Sequence, residues 1–184
     1  MTKTIILASM MVLSIVLILG LSDNAFAAMD MFLKIEGIPG EAIDPVGEHS
    51  DEIDVLAWKW EIAFLDSPGG ASKVSVQDLS IVKSVDRSSP KLYEALTGGE
   101  PFPEVILSIR AAVDPGLLPL DYLVIRLEEV KITSVSVGAS SDDDRPTETI
   151  TLNFAKVKIV YIPQDSDGRE ETPEIWEFRT RGHR

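Results

Sequence analysis

Few residues in this chain are equipped for chemistry. His49 and His183 are the only imidazoles, they are far apart in sequence, and cysteine is absent. A zinc sphere takes about four converging ligands, so two distant histidines without a thiolate do not make one. Asp142-Asp143-Asp144 and Asp165-Ser166-Asp167-Gly168 supply carboxylates, but calcium needs oxygens converging from several positions, and the second run carries only a fragment of calcium-loop spacing. An Asp-Gly pair between apolar stretches reads instead as a hairpin turn. The adjacent Glu128 and Glu129 point to opposite faces of a strand and cannot jointly flank a substrate unless a bulge intervenes. Serine is plentiful, yet no Gly-x-Ser-x-Gly elbow, phosphate loop or paired His-Glu helix motif accompanies it. The chain therefore reads as a non-enzyme, with no cofactor and no metal.

Residues suited to contact are better represented. Trp58 and Trp60 are two apart and share one side of a strand. Core packing is one reading, because aromatics bury large area; interface anchoring is the other, because Trp is enriched where partners dock. Gly37-Ile38-Pro39-Gly40-Glu41 closes an apolar run and opens a polar stretch to Asp51 that contains His49. It is either a solvated connection or a loop reaching a neighbouring subunit, and a structureless loop longer than about 12 residues in a compact domain is usually functional or mobile. Gly37, Ile38, Pro39, Gly40, Glu41 and His49 are thus the candidate subunit-contact residues.

The elements that must position these residues are strands. Apolar runs fall at Phe32 to Ile35, Ile53 to Phe64, Val74 to Val85, Val105 to Ala112, Leu120 to Val137, Glu148 to Tyr161 and Ile175 to Thr180. Lys156-Val157-Lys158-Ile159 and Ile132-Thr133-Ser134-Val135-Ser136-Val137 alternate so that one face turns inward. The runs from Leu120 and from Glu148 exceed the common strand length of about 3–10 residues, which predicts long barrel strands or strands broken by bulges. Turn chemistry separates the runs at Ser67-Pro68-Gly69-Gly70, Asp114-Pro115-Gly116, Ser140 to Pro146 and Asp165 to Gly168. One helix stands out: Ser89 reads as its cap, Pro90 as its first helical residue, and Gly98 or Gly99 as its end. Leu92, Ala95 and Leu96 share a face that must dock, since isolated helices under about 12 residues are marginal. The expectation is an antiparallel β-barrel or sandwich with one short helix.

Charge and the amino-terminal segment bound where such a domain works. The 184 residues carry a net charge of −13, which disfavours nucleic acid and anionic membrane surfaces as partners. Without cysteine, neither disulfides nor thiolate-bound metals contribute, and stability must come from the core. Lys3, an apolar run from Ile5 to Leu21 and Ala25-Phe26-Ala27 follow the order of an export signal with a small-x-small cleavage site. Cleavage after Ala27 makes residues 1–27 a signal and 28–184 a single domain, exported to the periplasm, the cell surface or the medium. The alternatives are an uncleaved anchor, the one route to a membrane, or translation from Met29 or Met31.

In this order, the segments resemble the Hcp family, the haemolysin-coregulated tube proteins of type VI secretion. The resemblance rests on Leu33-Lys34-Ile35-Glu36-Gly37-Ile38-Pro39-Gly40-Glu41, on His49-Ser50-Asp51-Glu52-Ile53-Asp54-Val55-Leu56-Ala57-Trp58-Lys59-Trp60, and on Asp78-Leu79-Ser80 with Ser89-Pro90-Lys91-Leu92. It continues through Leu123 to Val137, Thr147-Glu148-Thr149, Leu152 to Val157 and Trp176-Glu177-Phe178. It implies a mostly β, Hcp-like antiparallel barrel of two sheets flanked by one short α-helix. It also implies self-assembly into a homo-hexameric ring that stacks into a tube, with a spike-tip protein and lumen-held effectors as partners. The export signal departs from the family pattern, because family rings assemble in the cytoplasm. It points to a ring or tube acting outside the membrane, or alternatively to a secreted module whose barrel holds a protein or small ligand.

Overall fold

The computed structural model describes residues 29–66, 73–111, 119–141, 144–164 and 170–180. The export segment, the turns at Ser67 to Gly70, Asp114 to Gly116 and Asp165 to Gly168, the pair Asp142-Asp143 and His183 lie outside the described residues. The elements are β1 (Asp30–Ile35), β2 (Ile53–Asp54), β3 (Ala57–Lys59), β4 (Ile62–Leu65), β5 (Lys73–Val76) and β6 (Leu79–Ser84), then α1 (Ser89–Gly98). After the helix come β7 (Phe102–Arg110), β8 (Asp121–Gly138), β9 (Thr147–Asn153), β10 (Lys156–Tyr161) and β11 (Glu174–Arg179).

The two long apolar runs become one bent hairpin. β8 pairs with β10 from Leu123↔Tyr161 to Glu128↔Lys156, and in the same register with β9 at Lys131↔Asn153 and Ile132↔Leu152. Between these stretches Glu129 takes a positive φ of 55° and Phe154-Ala155 leaves the ladder, with Ala155 N–H donating to Glu128 O at 3.0 Å. β8 thus stays one long strand through the corner without a change of register and shifts register against β9 only between Ile132 and Ser134, while its partner breaks into β9 and β10. The corner divides the architecture in two. Before it, β8 joins β7, β1 and β2 on one side and β10 and β11 on the other; after it, β8 leads through β9 and β6 to β3. All of these pairings are antiparallel.

The ladder does not run as a continuous closed ring. Its two ends, β2 and β3, are consecutive in the chain, and the link between them bonds both sheets: Val55 N–H to Met31 O at 2.9 Å and Leu56 N–H to Val82 O at 2.8 Å. The covalent chain thus links the two ends of the ladder where the pairing stops, and the expected barrel of two sheets is not closed by strand pairing. The run from Ile53 to Phe64, one stretch in the sequence, divides into β2, β3 and β4 for this reason. Leu33, Ile53, Ile81, Leu107, Ile125 and Ile150 are fully buried between the two sheets. Burying a side chain of this kind contributes roughly 1.5–3 kcal/mol.

α1 packs against β8 through Leu92, which is fully buried, with Ala95 and Leu96 partly buried beside it. Gly99 ends it in the left-handed region (φ 68°), where a side chain is strained, and its N–H reaches Ala95 O at 2.9 Å. The start differs from expectation. Ser89 is not the cap but the first helical residue; Ser88 precedes it with no side-chain capping bond, and Asp86 Oδ1 accepts the Ser88 N–H at 2.8 Å. The Ser89 hydroxyl is drawn instead toward a buried carboxylate of β9.

Candidate functional site

The stretch from Gly37 to Glu52 is an organised loop. Gly37 adopts φ 81°, and the turn it makes brings Ile38 N–H to Ile35 O at 3.1 Å and buries Ile38 in the core. Pro39 and Glu41 are exposed, and Glu41 Oε1 accepts the Arg87 N–H at 3.1 Å. The base is laced by Gly40 N–H to Asp51 O at 2.7 Å and Ala42 N–H to Glu52 O at 2.9 Å. A Cβ on Gly40 would lie 2.2 Å from Glu52 O and 2.5 Å from Ile53 Cα, a clash with backbone. Overpacking costs about 1–3 kcal/mol where side chains can adjust, and backbone adjusts less. Gly40→Val is therefore expected to lower the melting temperature of the isolated domain, whatever its oligomeric state, and a thermal melt checks this.

His49 turns inward. Its ring stacks on Phe32 with centroids 4.5 Å apart, Nδ1 lies 2.8 Å from Glu52 Oε2, and Nε2 lies 3.0 Å from Asp121 Oδ2. The backbone N–H of His49 donates to Asp44 Oδ2 at 2.9 Å.

Arg110, at the end of β7, completes this cluster. Its guanidinium reaches Asp44 at 3.1 Å, Asp121 at 3.1 Å and Glu48 at 2.9 Å, and sits 5.6 Å from the Phe32 ring centroid. Burial alone would raise the pKa of Asp44, but the N–H groups of His49 and Val46 and the charge of Arg110 hold it at about 2. The loop is thereby clamped to the barrel, and its tip is left outside: Ile43 is 90% exposed and Val46 is also exposed.

A second buried cluster joins α1 to the sheet. Lys83 on β6 and Glu148 on β9 are direct cross-strand partners, both with side chains 0% exposed and 2.8 Å apart. Lys83 also donates to Asp86 at 2.7 Å, and Glu148 accepts from Ser89 at 2.7 Å and Tyr93 at 2.8 Å. Burial and the neighbouring Glu148 carboxylate raise the Tyr93 pKa.

Glu128 and Glu129 sit at the corner of β8, where the register does not shift, and each is taken up by a cation. Glu128 lies 2.8 Å from Lys156, whose hydrogen bond lowers its pKa, and Glu129 lies 3.6 Å from Arg179.

Trp58 and Trp60 are both half-buried against the core. Trp60 donates to Gln77 O at 2.8 Å and packs near Phe154 (5.9 Å) and Trp176 (6.2 Å). Just beyond it, β4 and β5 pair only with each other. Register Phe64↔Val74 and Ile62↔Val76 puts Ile62, Phe64 and Val74 on one face, and all three are exposed, Phe64 at 69%. Ser67 to Gly70 marks a turn between these two runs, but no local pattern indicates that β4 and β5 pair only with each other.

These features define a class: a β-barrel whose buried charges, among the described residues, are engaged in internal ion pairs, and whose exposed apolar side chains include those of the β4–β5 hairpin, the loop tip, and Ile175 and Trp176 on β11. Such a protein works through its surfaces. A family model described as "Type VI secretion system effector, Hcp" matches residues 32–161. Protein hcp1 of Pseudomonas aeruginosa is 45% identical over 149 residues, which cover 78% of this chain and 90% of that protein. The crystal structure of Hcp1 from Salmonella typhimurium is similar with a TM-score of 0.67 at 33% identity, covering 83% of this chain and 94% of its own. A type VI secretion system effector from Yersinia pestis is similar with the same TM-score of 0.67 and 33% identity, covering 82% and 100%. The chain belongs to the Hcp family, the tube-forming structural proteins of type VI secretion systems. It is a self-associating, exported structural protein, and these relatives support the tube reading over a separate ligand-holding module.

Proposed function

We propose that residues 1–27 are an export signal removed after Ala27, and that residues 28–184 assemble as a homo-hexameric ring that stacks into a tube, acts outside the cytoplasm and catalyses no reaction. A spike-tip protein and small effectors in the lumen are the partners such a tube would take. One observation carries the assembly reading. An isolated two-stranded hairpin is marginal in water, yet β4–β5 stands off the main sheet with Ile62, Phe64 and Val74 exposed on one face. A neighbouring copy is the surface that would bury that face, and the Ile43 and Val46 loop tip offers a second contact. The order of Lys3, the apolar run from Ile5 to Leu21 and Ala25-Phe26-Ala27 supports the signal.

Phe64→Asp with Val74→Lys is the test. The double variant is expected to keep the circular dichroism spectrum of the parent and to lose the ring, sedimenting as a monomer at concentrations where the parent is a hexamer. A variant that still assembles like the parent would remove the hairpin from the interface.

A further inference from the structure

Two strands run on past their partners at the place where the ladder stops. β2 pairs only with Phe32 and Leu33, so Asp30 and Met31 at the start of β1 are paired with β7 alone. β3 reaches only as far as Val82, so Lys83 and Ser84 at the end of β6 are paired with β9 alone. The link after β2 places one bond on each side, Val55 N–H to Met31 O and Leu56 N–H to Val82 O; among the described residues no strand lies along the other side of these two ends. Between them the surface sinks into a cleft of about 540 Å³, within the range of about 300–1,000 Å³ that holds ligands.

The side chains of the cleft alternate as the strand does. Phe32 opposes Asp54 across β1 and β2, so Asp54 and Asp30 share a face and Met31 lies on the other. Glu41 and Asp86 add acid to the lining, the exposed Met29 and Leu56 add apolar surface, and Arg145 is the one cation among the described lining residues. Asp86 is paired with Lys83 at 2.7 Å, whereas Asp30 and Asp54 form no ion pair with a described residue. Burial, then the charges of Asp86, Asp30 and Glu41, raise the pKa of Asp54. A cation placed beside it would relieve that repulsion.

We propose that the cleft takes an extended peptide segment of a partner protein, in which Lys or Arg alternates with an apolar residue, laid along the open end of β1 as an added strand. In this mode main-chain bonds to the strand edge supply affinity and alternate side chains supply specificity. The basic side chains meet Asp30 and Asp54, and the apolar ones between them face Met31 and Leu56. A second copy does not offer such a segment from its described strands. Lys156-Val157-Lys158 has the pattern, but β10 is already paired with β8 on one edge and β11 on the other. The occupant is therefore a different protein, and its binding is separate from the way copies of this chain meet one another.

The probe is the acetylated, amidated peptide Lys-Val-Lys-Val-Lys, titrated calorimetrically into the purified full chain. One peptide is expected to bind per protomer, to shift the side-chain carboxyl NMR signals of Asp30 and Asp54, and to slow amide exchange at Met31. Asp30→Asn with Asp54→Asn is expected to weaken binding by about tenfold or more. The thermal melt of that variant should not fall, because the substitutions remove charges that repel one another. The peptide Glu-Val-Glu-Val-Glu is expected not to bind. Undiminished binding by the Asn variant, equal binding of the acidic peptide, or equal affinity for spermidine, which is cationic but has no peptide bonds to add to a sheet, would each overturn the proposal. Binding seen only after an assembly of the chain is dissociated would give the cleft to a second copy and overturn it as well.

Discussion

Replacing Arg110 by Met is expected to lower the unfolding free energy by about 3–5 kcal/mol, the range seen when one partner of a buried ion pair is removed. The reason is what would be left behind. Arg110 is 1% exposed and satisfies Asp44, whose side chain is 0% exposed, as well as Asp121 and Glu48. Asp44 is held at a pKa of about 2 by the N–H groups of His49 and Val46 together with Arg110, and without Arg110 the buried carboxylate keeps those two donors but loses its cation. For a domain of this size, about 2–4 °C of melting temperature accompanies each kcal/mol, and a thermal melt should fall by roughly 6–20 °C. Arg110→Lys keeps the charge but loses the planar fork that reaches three carboxylates, and should fall between the two. The loop from Gly40 to Glu52 should open first, read as faster amide exchange at Ala42 and His49. A drop below about 1 kcal/mol, within the range of an exposed pair, would mean that the clamp carries little.

Replacing Lys83 by Met is expected to have an effect of the same size, about 3–5 kcal/mol, because Glu148 would be left at 0% exposure without its cation, with only the Ser89 and Tyr93 hydroxyls as partners. The informative variant is the pair. Lys83→Met with Glu148→Leu removes both charges, and replacing a buried ion pair by apolar residues of similar volume is often neutral or stabilising. Two hydroxyls would then lose their acceptor, each costing about 1–3 kcal/mol if left unpaired. Partial recovery relative to Lys83→Met alone is therefore the expected result, giving a coupling energy of about 1–3 kcal/mol in a double-mutant cycle of chemical denaturation. Additive single effects would contradict a direct pair at the junction of β6, β9 and α1.

Much of this fold was legible because the strands alternate. Leu79, Ile81 and Lys83 fall on one face of β6, and Glu148, Ile150 and Leu152 on one face of β9. The same period that located the core thus places Lys83 and Glu148 inward with opposite charge, a signal available in the sequence and passed over because charged residues read as surface. Asp44, His49 and Arg110 could not be joined in that way. Their contact depends on how a loop folds back over the barrel, and no local pattern encodes the approach of residues more than sixty apart in sequence. His49 is held inside this cluster, so the loop residues available to a neighbour are those at its tip. Gly40 and Ile38 are likewise occupied within the chain, one against backbone and one in the core.

The division of the first long apolar run into three strands has the same origin. Propensity favoured strand throughout Ile53 to Phe64, but the barrel needs the chain to change partners at Val55-Leu56 and to leave the sheet altogether after Trp60. Neither event needs a Gly or Pro, so neither left punctuation to read. At the corner of β8 the situation is similar: Glu129 takes a positive φ without being glycine, a conformation uncommon for such a residue.

The central claim is that this barrel is a ring-forming subunit, and the mass of residues 28–184 in solution tests it most directly. Multi-angle light scattering across a range of protein concentrations is predicted to give a mass of about six protomers in a closed ring. A single-protomer mass maintained at the highest concentration would contradict it.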